Sequence, residues 1–169
     1  MNFLDKNYPP IVIDKGELLQ RKGIFNNNVY FVEKGLLRSY TIDEKGKEHI
    51  FMFGPEGWIV GDTVAFNEPC NLYIDALEPS VIKIIDKESA IFKSNQHNSL
   101  FKRINVLQKR VIMLMSAPAM DRYNYFLATY PSIIKRVPQK MIASYLGLTP
   151  ETLSKVKKEI IVNQKKTIS

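Results

Sequence analysis

The sequence predicts an α+β fold: an antiparallel β-sandwich or barrel first, then a long linking helix, then a small basic helical unit. Three observations carry this. Seven of the eight glycines lie between Gly16 and Gly61, with only Gly147 beyond them. From Leu100 onward apolar residues recur at helical spacing. Charge is split as well, since residues 1–101 hold 11 Lys/Arg against 14 Asp/Glu, whereas residues 102–169 hold 13 against 3.

The 169 residues are 45% apolar and 24% charged, ordinary values for a chain that can bury a real core. The longest aliphatic run, Val111 to Met115, is far short of the ~20 residues needed to cross a bilayer. The opening MNFLDKNYPP lacks the charged start and apolar centre of a secretion signal. A cytoplasmic, membrane-free protein is therefore expected. Cys70 is the single cysteine, which excludes a disulfide scaffold, a cysteine-ligated zinc and an iron–sulfur cluster within one chain.

Residues 11–13, 29–32, 36–42, 49–53, 58–60, 73–77 and 81–85 are short β-favouring runs punctuated by turn residues, the pattern of a sandwich or barrel. Asp43-Glu44-Lys45-Gly46-Lys47 is a polar interruption between two of them and reads as a hairpin tip. Beyond Glu88, Leu100, Ile104, Leu107, Val111 and Leu114 step by 4, 3, 4 and 3, an a/d seam suited to an identical partner helix, the alternative being a single buried helix inside a monomer. Phe101, Ile112 and Met115 make a second apolar stripe. Ser116-Ala117-Pro118 should break this helix, because proline removes a donor and disfavours helical geometry before it. Helices are then expected over 122–129, around 133–136, over 139–145 and over 150–158.

The last two fit a helix-turn-helix, the alternative being a helical hairpin that only closes a core. Ile142 and Leu146 face inward from the first helix, Leu148, Leu153 and Val156 close the other side, and Ala143 suits a close crossing. Gly147 stands where the first helix must end in a left-handed residue. Thr149 is a good N-cap, Pro150 suits the first helical position, and Glu151 complements the positive helix end. On the second helix Glu151, Thr152, Ser154, Lys155, Lys157 and Lys158 can point outward. Glutamate can accept from cytosine, and lysine can donate to guanine or phosphate. The one-sided charge of the last third fits a polyanionic partner.

On these residues the chain resembles the family of cyclic-AMP receptor protein and the fumarate–nitrate regulator. IASYLGLTPETLSKV matches the family's helix-turn-helix, while GLLRSY, the Gly46 turn and PEGWIVGDTVAFNEP match its sensor roll. The resemblance implies a cyclic-nucleotide-binding-like β-roll (1–95), a dimerisation helix (96–116) and a helix-turn-helix DNA-binding domain with a truncated wing (117–169). It implies double-stranded DNA as partner, a homodimer, RNA polymerase contact and a small effector. Gln139, Thr149, Pro150, Glu151, Thr152, Ser154, Lys155, Lys157 and Lys158 are the expected DNA-facing residues, with Pro150, Glu151 and Lys155 at base-reading positions. The dimer helix uses Leu100, Ile104, Leu107, Val111 and Leu114.

The effector pocket by resemblance is Gly61, Asp62, Thr63, Asn71 and Leu72. Asn71-Leu72 stands where nucleotide binders carry Arg-Ser or Arg-Thr, so the charge-assisted contact to a cyclic phosphate is missing and cyclic AMP is not expected. After Lys158 only EIIVNQKKTIS remains, too short for a full β-hairpin wing, though Lys165 and Lys166 could touch phosphates. A cupin-type enzyme would need two or three histidines and a carboxylate around a metal. His49 and His97 are the only two and lie apart, so no enzyme, metal or other cofactor is expected. A haem sensor would use one of these histidines or Cys70. A protein-interaction regulator without sequence-specific DNA binding is the remaining alternative.

Overall fold

In the computed structural model, residues 8–62, 68–87 and 97–167 are described, with the side chains of 97–106 and 163–167 left aside. Thr63 lies outside the described residues, as does the start of the linking segment after Glu88. Eight strands precede four helices among the described residues. The strands are β1 (Ile11–Ile13), β2 (Leu18–Gln20), β3 (Asn28–Lys34), β4 (Leu37–Ile42), β5 (Glu48–Gly54), β6 (Ile59–Val60), β7 (Tyr73–Ala76) and β8 (Ser80–Asp86). The helices are α1 (His97–Ser116), α2 (Ala119–Thr129), α3 (Gln139–Leu146) and α4 (Pro150–Thr167). Two compact units result, Met1–Gln96 and His97–Ser169.

The strands form two antiparallel sheets, β1-β8-β3-β6 and β2-β7-β4-β5. Alternation along each strand sends Ile13, Tyr30, Val32, Leu37, Val60, Ile74, Ala76 and Ile82 into one shared core. The hairpin tip forms where the polar interruption predicts it. The Asp43 amide donates to the Lys47 carbonyl at 3.0 Å, and Asp43 Oδ2 lies 2.8 Å from His49 Nε2.

Alternation also sends Arg38 and Asp75, which pair directly across β4 and β7, to the face opposite Leu37 and Ile74. Both are buried, and Arg38 donates from Nε and Nη2 to the two Asp75 oxygens at 2.8 and 3.0 Å. Glu48 accepts from the other side of the guanidinium, which also sits 4.1 Å over the Tyr40 ring. Tyr40 in turn stacks on Tyr73.

The observed elements depart from the sequence expectation in three places. β2 is a strand that the residue pattern does not signal. The expected helix around 133–136 is a run of turns over 131–136, with the Arg136 and Val137 amides both donating to the Ile133 carbonyl, at 2.8 and 3.2 Å. Pro138 explains the shortness, since it has no amide to donate to the Ile134 carbonyl and extend the turn. The third departure is the tail. α4 continues without a break to Thr167, so no strand of a wing follows it among the described residues. The segment from Lys158 contains neither glycine nor proline, and nothing in it stops a helix already nucleated.

Candidate functional site

The turn between α3 and α4 is built from local rules. Gly147 adopts φ 63° and ψ 34°, in the left-handed region that glycine enters without strain. The Leu148 amide donates to the Ala143 carbonyl at 2.9 Å, and the Gly147 amide to that of Ser144 at 3.2 Å. This pair of bonds is a Schellman closure. Thr149 then caps α4, its Oγ1 accepting the Thr152 amide at 3.2 Å. Ile142, Ala143, Leu146, Leu153 and Val156 are all buried between the helices.

Two arginines hold this turn from outside it. Arg110 of α1 donates from Nη2 to the Tyr145 carbonyl at 3.4 Å and lies 4.1 Å over the Tyr145 ring. Arg122 of α2 donates from Nη1 to the Leu146 carbonyl at 3.2 Å and from Nε to that of Ala117 at 2.9 Å. They satisfy carbonyls that the end of α3 leaves without helical partners, and they place cations at its negative pole. Tyr145 also meets Phe126 and Tyr130 edge-on at centroid distances of 5.6 and 5.5 Å. Sequence reasoning counts Arg110 and Arg122 only as part of a basic surface.

The polar row on α4 is open. Glu151, Ser154, Lys155 and Lys158 are exposed, Thr152 and Lys157 half-exposed, and Gln139, Thr149 and Pro150 exposed beside them. Its own backbone amide and the Thr149 hydroxyl hold the Glu151 carboxyl below the usual glutamate range. Its help to the start of α4 is therefore present above that range and fades as pH falls through the lowered value. Lys155 follows one turn later, the favourable order for an acid–base pair on a helix.

On α1, Leu107 and Val111 are exposed, as are Ile112 and Met115 of the second stripe, whereas Met113 is buried. Leu114 is half-buried and lies close to Gly147. The side chains of Leu100 and Ile104 lie outside the described set.

The expected effector loop presents a different geometry. Asp62 is buried, and its Oδ2 accepts the backbone amides of Asn71 at 2.6 Å and Leu72 at 2.8 Å. Consecutive amides converging on one point form an anion-binding concavity. Here a carboxylate of the chain itself fills it. Gly61 beside it is packed so closely that an added Cβ would come within 2.6 Å of Val29 Cγ1. Gln20, unsignalled by the sequence, joins this group by donating from Nε2 to the Leu72 carbonyl at 2.9 Å.

The cyclic nucleotide-binding domain family matches residues 10–94. The chain is 25% identical to the regulatory protein HlyX of Actinobacillus pleuropneumoniae over 92% of its own length and 71% of that protein's. It is 29% identical to the fumarate and nitrate reduction regulatory protein of Vibrio cholerae over 85% of its length and 65% of the relative's. This chain belongs to the Crp/Fnr family of transcription regulators. Among solved structures, FixK2 from Bradyrhizobium japonicum superposes with a TM-score of 0.75 at 20% identity, covering 93% of this chain and 86% of that one. A CRP/FNR-family regulator from Thermus thermophilus gives 0.74 at 16% identity, covering 92% and 87%. These Crp/Fnr structures share the two antiparallel sheets followed by helices. Membership describes descent of the roll, not its ligand. No described helix of this Crp/Fnr chain is long and apolar enough to cross a membrane.

Proposed function

We propose that this chain is a dimeric, DNA-binding transcription regulator whose α4 reads an inverted-repeat site and whose roll senses an effector other than cyclic AMP. The observation that carries the reading is the turn at Gly147. It fixes α4 against α3 through Schellman closure, threonine cap and buried crossing, and leaves Glu151, Ser154, Lys155 and Lys158 exposed. A rigidly held helix with an open polar row at its start is what major-groove reading requires. Thr149, Thr152, Lys157 and Gln139 flank that row, where phosphates would lie. Residues 117–169 are the DNA-binding domain in this reading, 96–116 the dimer helix and 1–95 the sensor. RNA polymerase is the partner such a regulator would engage on DNA.

Dimerisation is supported by Leu107 and Val111, apolar seam residues left 37% and 54% exposed on α1. Leu107→Glu with Val111→Glu should give monomers in sedimentation velocity. A stable dimer from the double variant means that the seam is elsewhere.

The sequence-specific reading is tested by selection from random duplexes. A dimer should recover an inverted repeat whose half-sites lie about one helical turn, roughly 34 Å, apart. Glu151→Gln and Lys155→Met should each relax preference at particular positions, with about 1–3 kcal/mol of discrimination lost per base contact.

A second reading is favoured by one feature. α4 runs on past the expected wing and leaves Ile161 and Val162 about half exposed. A regulator acting through a protein contact would use that end. Recovery of no palindrome, or identical preferences in all three proteins, decides for this alternative.

A further inference from the structure

One cavity of the roll is distinct from the loop between Gly61 and Leu72. It is an open concavity of about 650 Å³, walled by residues of β1, β2, β3 and β8 and by the loop after β2. That volume lies within the range of small-molecule sites. Two independent features mark it. Ile11, Leu18, Ile24, Phe25 and Ile84 line it, and these five large apolar side chains are left 36% to 65% exposed. Among the described residues of the roll, only Val12, Ile42 and Ile59 are comparably exposed elsewhere. Apolar surface gathered in one concavity signals a binding surface rather than scatter.

The second feature is polar. Gln20 also lines the cavity, is 2% exposed, and commits its Nε2 to the Leu72 carbonyl, while its Oε1 is buried without a hydrogen-bond partner. Asn26 and Tyr30 on the same wall satisfy each other, Asn26 Nδ2 donating to Tyr30 Oη at 2.7 Å, and Tyr30 Oη donating to the Leu19 carbonyl at 2.8 Å. Gln20 Oε1 is the acceptor left over, and a buried acceptor wants a donor.

We infer that this cavity binds a small, uncharged, amphiphilic molecule that lays an apolar body on Ile11, Ile24, Phe25 and Ile84 and donates an N–H or O–H to Gln20 Oε1. A charged ligand would lose its hydration against those side chains. Glu17 and Arg21 complete the walls with opposite signs and favour neither charge. An anion would also face the Asp62 carboxylate, whose Oδ2 is 3.5 Å from Gln20 Nε2. Because Gln20 bonds Leu72, a ligand held here shares a side chain with the family's effector loop. That occupancy regulates DNA binding rests on the function proposed above, whereas the binding itself does not.

The test is amide and side-chain NMR of the whole chain, without DNA, titrated with indole and with 1-methylindole, which has the same body but no donor. Indole should shift Leu18, Leu19 and the Gln20 side-chain amide, and 1-methylindole should bind about three- to tenfold more weakly. Gln20→Met should erase that difference. Ile24→Asp, at an exposed position, should remove both probes even if the Gln20 variant fails to fold. Cyclic AMP should leave these resonances unmoved, because Asp62 fills the anion site. Absence of shifts at millimolar probe, shifts confined to other residues, equal affinity for the two probes, or cyclic AMP shifting Gln20 would each overturn the assignment. Since no DNA is present, failure here leaves the recognition reading standing, and failure of the duplex selection leaves this one.

Discussion

Replacing Arg38 with Leu should destabilise the β-roll by about 3–5 kcal/mol, a large share of the 5–15 kcal/mol typical of a domain. Arg38 is 7% exposed, and its guanidinium satisfies both oxygens of Asp75, itself 9% exposed. Removing the cation leaves that carboxylate buried and unpaired, and strips the Tyr40 ring of its covering charge. The loss therefore reflects stranding an anion more than the worth of the pair. Trp58 is the only tryptophan and lies in the roll, so urea unfolding followed by its fluorescence reads this unit alone. Arg38→Leu combined with Asp75→Leu should recover most of the loss, because apolar residues often replace a buried pair at little cost. A single-variant loss below about 1 kcal/mol would mean that water already reaches the pair.

The second large effect concerns charge on α4. Lys157 and Lys158 lie behind the proposed base-reading residues and should meet phosphates rather than bases. Lys157→Gln with Lys158→Gln removes four such contacts from a dimer, which should flatten the salt dependence of DNA binding by about 3.6 units of slope. Between 50 and 200 mM salt that amounts to a roughly 150-fold smaller loss of affinity for the variant than for the parent. Affinity at low salt should fall alike for selected and random duplexes, because phosphate contacts carry no sequence information. Titrations at two salt concentrations measure both quantities. An unchanged slope would remove these lysines from the DNA surface.

What the sequence discloses follows from how local each feature is. The turn at Gly147 is legible because glycine, threonine cap and first-turn proline act within ten residues of one another. Seven of the strands are legible for the same reason, as each is a β-favouring run between turn residues. β2 is not, because three residues ending in a buried glutamine carry no alternation to read. Asp62 filling the concavity of Asn71 and Leu72 depends on two segments nine residues apart meeting, which no motif in either one states. Asn71-Leu72 carries no cation where the resemblance leads one to expect it, and the structure adds that the two amides are bonded by Asp62. The extended α4 was hidden by the family pattern rather than by its residues, which already lack any helix stop. Arg110 and Arg122 show the limit of charge counting, since an arginine bonding a helix end and one facing DNA look alike in composition.

The grip of Arg110 on Tyr145 bears on how motion would travel. α1 joins α2 through the break at Ala117 and Pro118, which as a plain covalent hinge would let the two helices turn independently. Arg110 bypasses that hinge. It sits on α1 before the break, bonds the last turn of α3, and lies on a ring packed against Phe126 and Tyr130. A twist of α1 about its own axis would therefore reach the start of α4 through a stiff stack of guanidinium and aromatic rings. The long helix is thus tied to the turn before α4 by side chains as well as by the covalent link, and Arg122, bonding both Ala117 and Leu146, ties the break itself to the same turn.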